Sequence, residues 1–461
     1  MATYLLDMCR PERDEAEGFV RRHFSDLVTT SDQHDDRHDA VTMSSSAFRG
    51  GQSHADKALA TLDLNGYTRN RTQAYPEPRR GAARLSPYIR HGLLDLPRVW
   101  SDVDGPEIEV ERFRLELLWQ EYARHLYARV GSAMKQPLLF PAPESVSSRR
   151  SRTAQWNQDM GCIEITTGEL EDDGWLVGQA RLWLASHWTV REGGDWREGE
   201  DYFFRHLLDG SRAANLLGWQ TAIGTATGRP YNFTRWQVES RAVGLCATCE
   251  LNTSCPIDRW PDTHGRAGSP LDRPLLASDP DLQSTAGPNH LDDSSDRAAE
   301  VIWMTAESMG DADPALRANP DLPVVFVFDR PLLEKLQLSS KRLVFMVETL
   351  AELATKRDVE VYLGSPSQAL SGRRVATTFA PVPGWKRHAA KVNPVEVHPW
   401  RWLRHPGVGD ISSFAHWLDQ TVDGRGLPSA VPVVDSAPTA VSLQSSVRAI
   451  PVAANMRYSK T

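Results

Sequence analysis

Tyr202-Phe-Phe-Arg-His-Leu-Leu-Asp209-Gly-Ser-Arg-Ala-Ala-Asn215-Leu-Leu-Gly-Trp219 is the stretch on which the reading of this 461-residue chain turns. It begins as an apolar helical face, turns at Asp209-Gly210, and resumes through Ala213, Ala214 and Leu217 to Trp219. A carboxylate at a turn, an amide six residues on and a Trp four beyond it can surround a flat heteroaromatic ligand. The same spacing also describes a buried helix with a capped entry, and spacing alone favours that plainer reading.

Working outward, residues 48–260 read as all-helical. Arg84-Leu-Ser-Pro-Tyr places Ser86 as an N-cap with Pro87 at the first helical position, and free N–H groups at such a start suit a phosphate. Residues 112–130 form the clearest helix, in which Glu116 and Trp119, three apart, share a face beside Gln120. Residues 1–47 are a polar extension with one amphipathic piece near 14–27, either helical decoration or a loose arm. Residues 261–297 are rich in Pro, Asp, Ser and Gly without periodicity, and read as a mobile linker.

The period then changes. Val301-Ile-Trp-Met, Pro323-Val-Val-Phe-Val-Phe-Asp and Val359-Glu-Val-Tyr-Leu read as buried strands, with an amphipathic helix from Lys341 to Lys356. Strand, helix and strand in that order predict a parallel α/β sheet over 298–425. Residues 426–461 read as a disordered tail. The fold class is thus multidomain, α followed by α/β.

Composition sets bounds. Forty per cent hydrophobic and 24% charged residues are ordinary for a globular protein. No apolar run reaches membrane-spanning length and the N-terminus lacks signal-peptide character, so a cytoplasmic protein without a membrane is expected; a monomer is expected as well. The net charge of −8 argues against a generally basic nucleic-acid binder, but residues 45–260 carry 26 Lys/Arg against 27 Asp/Glu, which leaves room for a local basic groove.

Several blocks, taken in order, resemble the photolyase/cryptochrome family. They are Gly50-Gly51 with Tyr67, Leu85-Ser-Pro-Tyr, Glu116-Leu-Leu-Trp119-Gln-Glu, Gly174-Trp175 with Arg181, and Trp196 through Trp219. The resemblance implies an FAD-binding helical domain followed by an antenna-like α/β domain, the reverse of the family's usual order. It implies FAD phosphates at Arg84, Leu85 and Ser86 with Tyr67 close by, and Gln120 and Ser211 among the cofactor contacts. Asp209, paired with Arg181, would face the ribityl chain or flavin edge, and Asn215 would face flavin N5. Glu116 and Trp119 would hold a flipped-out base of damaged DNA, and Trp219 and Trp196 would relay electrons.

The departures are specific. Ala82 and Ala83 replace phosphate-loop hydroxyls, Ser211 replaces a second acid, Gly178 and Gln179 replace a polar substrate pair, and Thr221 replaces a tryptophan. Thr305-Ala-Glu-Ser in place of an Arg-rich loop counts against an antenna chromophore.

Cys246-Ala-Thr-Cys249 followed by Cys255-Pro256 puts three thiols within ten residues, a spacing that points to metal in a chain with five cysteines. Cys162 and the run Phe233-Thr-Arg-Trp-Gln-Val-Glu-Ser-Arg-Ala-Val-Gly-Leu-Cys246 resemble the bacterial iron–sulfur branch of the family. That resemblance implies a [4Fe–4S] cluster on Cys162, Cys246, Cys249 and Cys255, buried and covered by Pro256 and Trp260, with structural zinc as the alternative. The expected function is light-driven, FAD-dependent repair of pyrimidine photoproducts. The alternative is a cryptochrome-like photoreceptor or redox flavoprotein that has lost the lesion contacts.

Overall fold

A computed structural model describes residues 3–29, 43–142, 155–259, 268–293 and 298–421. Trp260 and the tail from 426 lie outside the described residues.

The chain starts with a short strand, β1 (Tyr4–Leu6), and an amphipathic helix, α1 (Arg13–Phe24). Ala16, Phe19, Val20 and Phe24 recur at helical spacing and are all buried, while Asp14 and Glu15 open the helix and Arg21, Arg22 and His23 close it, matching its dipole. A helical body follows. Its principal helices are α2 (Ser86–Arg90), α3 (Glu107–Val130), α4 (Gly161–Asp173), α5 (Gly178–Ser186), α6 (Trp196–His206), α7 (Arg212–Ile223) and α8 (Arg235–Arg241). One continuous apolar core, including Phe113, Trp183, Phe203 and Trp219, holds them together.

The sheet comes last. Strands β2 (Asp292–Asp293), β3 (Val301–Met304), β4 (Val324–Asp329), β5 (Val359–Gly364), β6 (Val375–Thr378) and β7 (Glu396–His398) join β1 in the order β1-β5-β4-β3-β6-β7-β2. Strands β3 to β7 pair in parallel, and β1 and β2 add antiparallel edges. Every residue of β3 is buried, as a strand covered on both faces requires. One face packs under α1 and α9 (Ser340–Ala354), the other under Leu370, Trp385 and Ala389. The last helix, α10 (Phe414–Thr421), returns to the helical body against α3.

Two expectations are corrected. The first residues are neither decoration nor a loose arm. Leu6, Phe19, Phe24 and Leu27 sit in the same core as β4 and α9, because a strand edge and an apolar helix face elsewhere in the chain offer them partners. The described part of the expected linker is also structured. Leu276 and Ala286 are buried, and Asp279 pairs with Arg129 on α3 at 3.2 Å.

Helix α9 is the seam between the halves. Arg342, fully buried, donates to the carbonyls of Phe204 (3.0 Å) and Gly210 (2.8 Å). Glu348 receives the Gly50 N–H at 2.7 Å and pairs with Arg13 and Arg49. A Cβ on Gly50 would stand 2.0 Å from the Phe345 carbonyl oxygen, so the glycine pair serves this close approach of α9. His91 bridges the carbonyls of Ala306 and Leu208 across the same seam.

Candidate flavin site and cysteine cavity

The turn at Asp209-Gly210 separates α6 from α7 and is fixed from three sides. Arg90 (2.8 Å) and Arg342 both donate to the Gly210 carbonyl, and Arg181 on α5 holds Asp209 Oδ2 at 2.7 Å. The other carboxylate oxygen, Oδ1, is buried without a hydrogen-bond partner. A buried acceptor left open in this way is costly unless a ligand supplies the donor.

Across the turn, Asn215 commits its amide nitrogen to the Glu200 carbonyl (2.9 Å) and to Glu200 Oε1 (2.8 Å). That leaves the amide oxygen as the free end, an acceptor. Glu200 is fully buried, and burial lifts its carboxyl to about 7 even though Arg212 beside it pulls the other way. Sequence reasoning missed Glu200 and Arg212. Glu200 meets both Asn215 and Arg212 only because α6 and α7 fold back on each other, which no spacing announces. Ser211 flanks α7 and uses its carbonyl for the Asn215 N–H at 2.8 Å, with no side-chain cap.

The segment expected to hold the phosphates departs from the expectation at one point. Helix α2 starts at Ser86 itself, with Leu85 as the flanking residue, and the Ser86 hydroxyl accepts the Trp175 indole N–H at 3.0 Å instead of capping the helix. Arg84 stands in the left-handed region, φ 55°, with its guanidinium 5.0 Å from the Phe48 ring and 5.3 Å from the Trp175 ring. Leu85 and Tyr67 are buried, and Tyr67 sets its ring edge-on to Phe113.

On α3, Glu116 is held by Arg71 (2.9 Å) and Arg112 (3.0 Å), neither of which the sequence singled out. Trp119 is half-buried, and Phe414 of α10 stacks on one of its faces, with centroids 4.3 Å apart and planes at 13°. Gln120 is half-buried next to it. Gln179, at the departed substrate position, gives its amide to the Tyr231 hydroxyl. Trp219 and Trp196 are both buried, and Trp219 packs edge-on to Phe203 at 5.0 Å.

Cys162, Cys246, Cys249 and Cys255 line one cavity, whose remaining wall is mostly apolar, including Met160, Leu245 and Ile257. The Gly161 N–H, at the start of α4, points at Cys249 Sγ, 3.4 Å away. Burial, followed by the neighbouring thiols, pushes Cys162 up to about 12, and burial pushes Cys246 up to about 11. Among the described residues, no three His, Cys, Asp or Glu side chains are drawn together tightly enough to hold a metal ion. The four cysteines have the donor chemistry of a thiolate-bound metal group, and the fold brings Cys162, 84 residues before Cys246, to the same cavity as the other three.

Comparison with known proteins finds likenesses over the same helices. Residues 113–240 match the family described as the FAD binding domain of DNA photolyase. The chain is 29% identical over 201 residues to the deoxyribodipyrimidine photo-lyase of Vibrio cholerae, covering 38% of this chain and 41% of that protein. It is 33% identical over 195 residues to the enzyme of that name from Escherichia coli, covering 38% and 41%. A class III photolyase structure from Agrobacterium tumefaciens aligns with TM-score 0.37 and 19% identity, over 47% of this chain and 52% of that one. The chain thus spans about two fifths of the length of the curated relatives it matches. Residues 113–240 thus carry an FAD-binding domain of the photolyase/cryptochrome type.

Proposed function

We propose that this protein binds FAD between α3, α5, α6 and α7 and uses light to split pyrimidine photoproducts in DNA. The observation that carries the reading is the open oxygen of Asp209, a buried acceptor held by Arg181 inside the matched domain. Asp209 and Arg181 would hold the ribityl chain or flavin edge, Arg84, Leu85 and Ser86 the phosphates, and the Asn215 oxygen would face N5. Bound there, reduced flavin supplies a photoexcited electron for the dimer. Glu116, steered by its two arginines, would hydrogen-bond the flipped base, and Trp119 would stack on it with the face opposite Phe414.

The second reading, a photoreceptor or redox flavoprotein, is favoured by Gln179. Its amide is spent on Tyr231, and with Gly178 it leaves the expected polar substrate pair unsupplied.

We further read the cysteine cavity as the seat of a [4Fe–4S] cluster on Cys162, Cys246, Cys249 and Cys255, which would staple α4 to the loop after α8. The reversed order of the helical and α/β halves belongs to the same reading.

Protein purified natively without oxygen, then examined by absorption spectroscopy, should show flavin and a thiolate-to-iron band. Blue light should then restore an oligonucleotide carrying a thymine dimer. Flavin without repair would select the photoreceptor reading, and protein unable to take up flavin would end both.

A further inference from the structure

Helix α3 spends one of its faces on the far end of the chain. Glu121, Tyr122, His125 and Arg129 recur at helical spacing, and each bonds to a residue between 403 and 417. Glu121 accepts the Leu403 and Arg404 N–H groups at 2.6 and 3.1 Å. The Tyr122 hydroxyl donates to the Ile411 carbonyl at 3.0 Å, and Arg129 donates to the Gly409 carbonyl at 2.8 Å. His125 meets the Arg404 carbonyl with Nε2 at 2.9 Å and accepts the Trp417 indole N–H on Nδ1 at 2.9 Å. An imidazole that accepts on one nitrogen carries its proton on the other, so both bonds hold at once. Most of these bonds go to backbone groups, so they fix the course of the segment that leads into α10.

What this clamp delivers is Phe414. Its ring lies 4.3 Å from that of Trp119 and is nearly parallel to it, at 13°. Tyr122 stands edge-on to both rings, 5.7 Å from each, and Trp417 packs on Phe414 at 5.7 Å. Trp119 is half-buried, and an indole at such a place on a helix can turn about two side-chain bonds unless a neighbour holds it. Freezing a side chain on binding costs affinity, and a side chain frozen beforehand avoids that cost. A ring that merely plugged the seat of a base would have to leave when DNA arrives. Helix α10 is not built to leave, because Trp417 is buried and bonded to His125 and the Ile411 carbonyl is tied to Tyr122.

We propose that Phe414 is a positioning residue for base stacking: it holds the Trp119 ring in the plane that receives a flipped base on the opposite face. The inference rests on the reading of Glu116 and Trp119 as the lesion contacts. Phosphate contacts serve any DNA, and only the stacked base reports damage. Phe414 therefore acts on the choice between damaged and intact DNA, and the segment after the α/β half completes a site in the helical half.

The test uses the full chain loaded with flavin and a pair of oligonucleotides of one sequence, with and without a thymine dimer. Phe414→Leu keeps an apolar side chain and removes the flat ring. It should lower the preference for the dimer about two- to tenfold, by weakening dimer binding alone. Phe414→Tyr keeps the ring and should restore the preference, whereas a space-filling role would not separate the two variants. Fluorine NMR on protein grown with fluorotryptophan reads the indole itself. The Trp119 line, identified by its loss in Trp119→Phe, should be sharp in the parent and in Phe414→Tyr, and broadened or split in Phe414→Leu. An unchanged line or an unchanged preference in Phe414→Leu would overturn the proposal. So would tighter dimer binding in that variant, which would put Phe414 in the seat of the base. A flavin-loaded parent that binds both oligonucleotides alike would instead bring down the reading beneath it.

Discussion

Two carboxylates in the helical body are both held by arginine, yet they sit in opposite surroundings. Asp209 has a side chain 5% exposed, one arginine partner and one open oxygen, in a turn clamped from both halves of the molecule. Glu116 has a side chain 33% exposed and two arginines, on a helix face half open to solvent. In the first site every neighbour is fixed before a ligand arrives, which suits a permanently bound cofactor. In the second, water competes with each contact, which suits a substrate that comes and goes.

The largest effect should come from removing the clamp. Arg342→Ala strips the Phe204 carbonyl of its partner and leaves a large cavity in a buried site, and should cost about 3–5 kcal/mol. Urea unfolding should show a lowered midpoint and, where the seam opens first, two transitions. A variant as stable as the parent would mean that the cradle stands without the α/β half.

Next is the pH response of Glu200. Its folded carboxyl titrates near 7, against about 4.3 for an unfolded glutamate. Between those values the folded chain holds a proton that the unfolded chain has released. The stabilisation is therefore complete below the unfolded value and is lost as pH rises towards 7, by on the order of 3 kcal/mol. Glu200→Gln should flatten the stability profile between about pH 5 and about pH 8. Parallel profiles for variant and parent would show that Arg212 keeps Glu200 ionised throughout.

Asp209→Ala should cost less in the flavin-free protein, about 1–3 kcal/mol, because Arg181 keeps its bond to the Leu176 carbonyl. Its main effect should be flavin lost during gel filtration, read from the ratio of visible to ultraviolet absorbance. Retention equal to the parent's would remove Asp209 from the cradle.

The smallest effect on folding should be that of Glu116→Gln. Partly exposed ion pairs contribute under about 1 kcal/mol, so the unfolding midpoint should scarcely move. Binding of dimer-containing DNA should weaken while flavin content holds. If flavin content falls instead, the rim and the cradle are one site and the contrast between them fails.

The sequence by itself determined the class of each half and the members of each cluster. Apolar runs such as Val324 to Phe328 can only be buried strands, and the ordered blocks from Tyr67 to Trp219 carry the family resemblance without any coordinates. The Arg181–Asp209 pair and the grouping of Cys162 with the later cysteines, which line one cavity, were also legible there. Only tertiary structure decided what faces what. Residues 4–24, polar and ambiguous alone, became strand and helix because β5 has an open edge and α9 an apolar face, some 340 residues away in the chain. Gly50 and Gly199 look like ordinary glycines until a carbonyl or an indole arrives where a Cβ would stand. Glu200 acquires its raised pKa from burial under a helix pair, and Ser86 turns from a cap into an acceptor because Trp175 is delivered to it. Local pattern sets what a segment can bury, but desolvation and partner choice depend on neighbours that only the folded chain brings within reach.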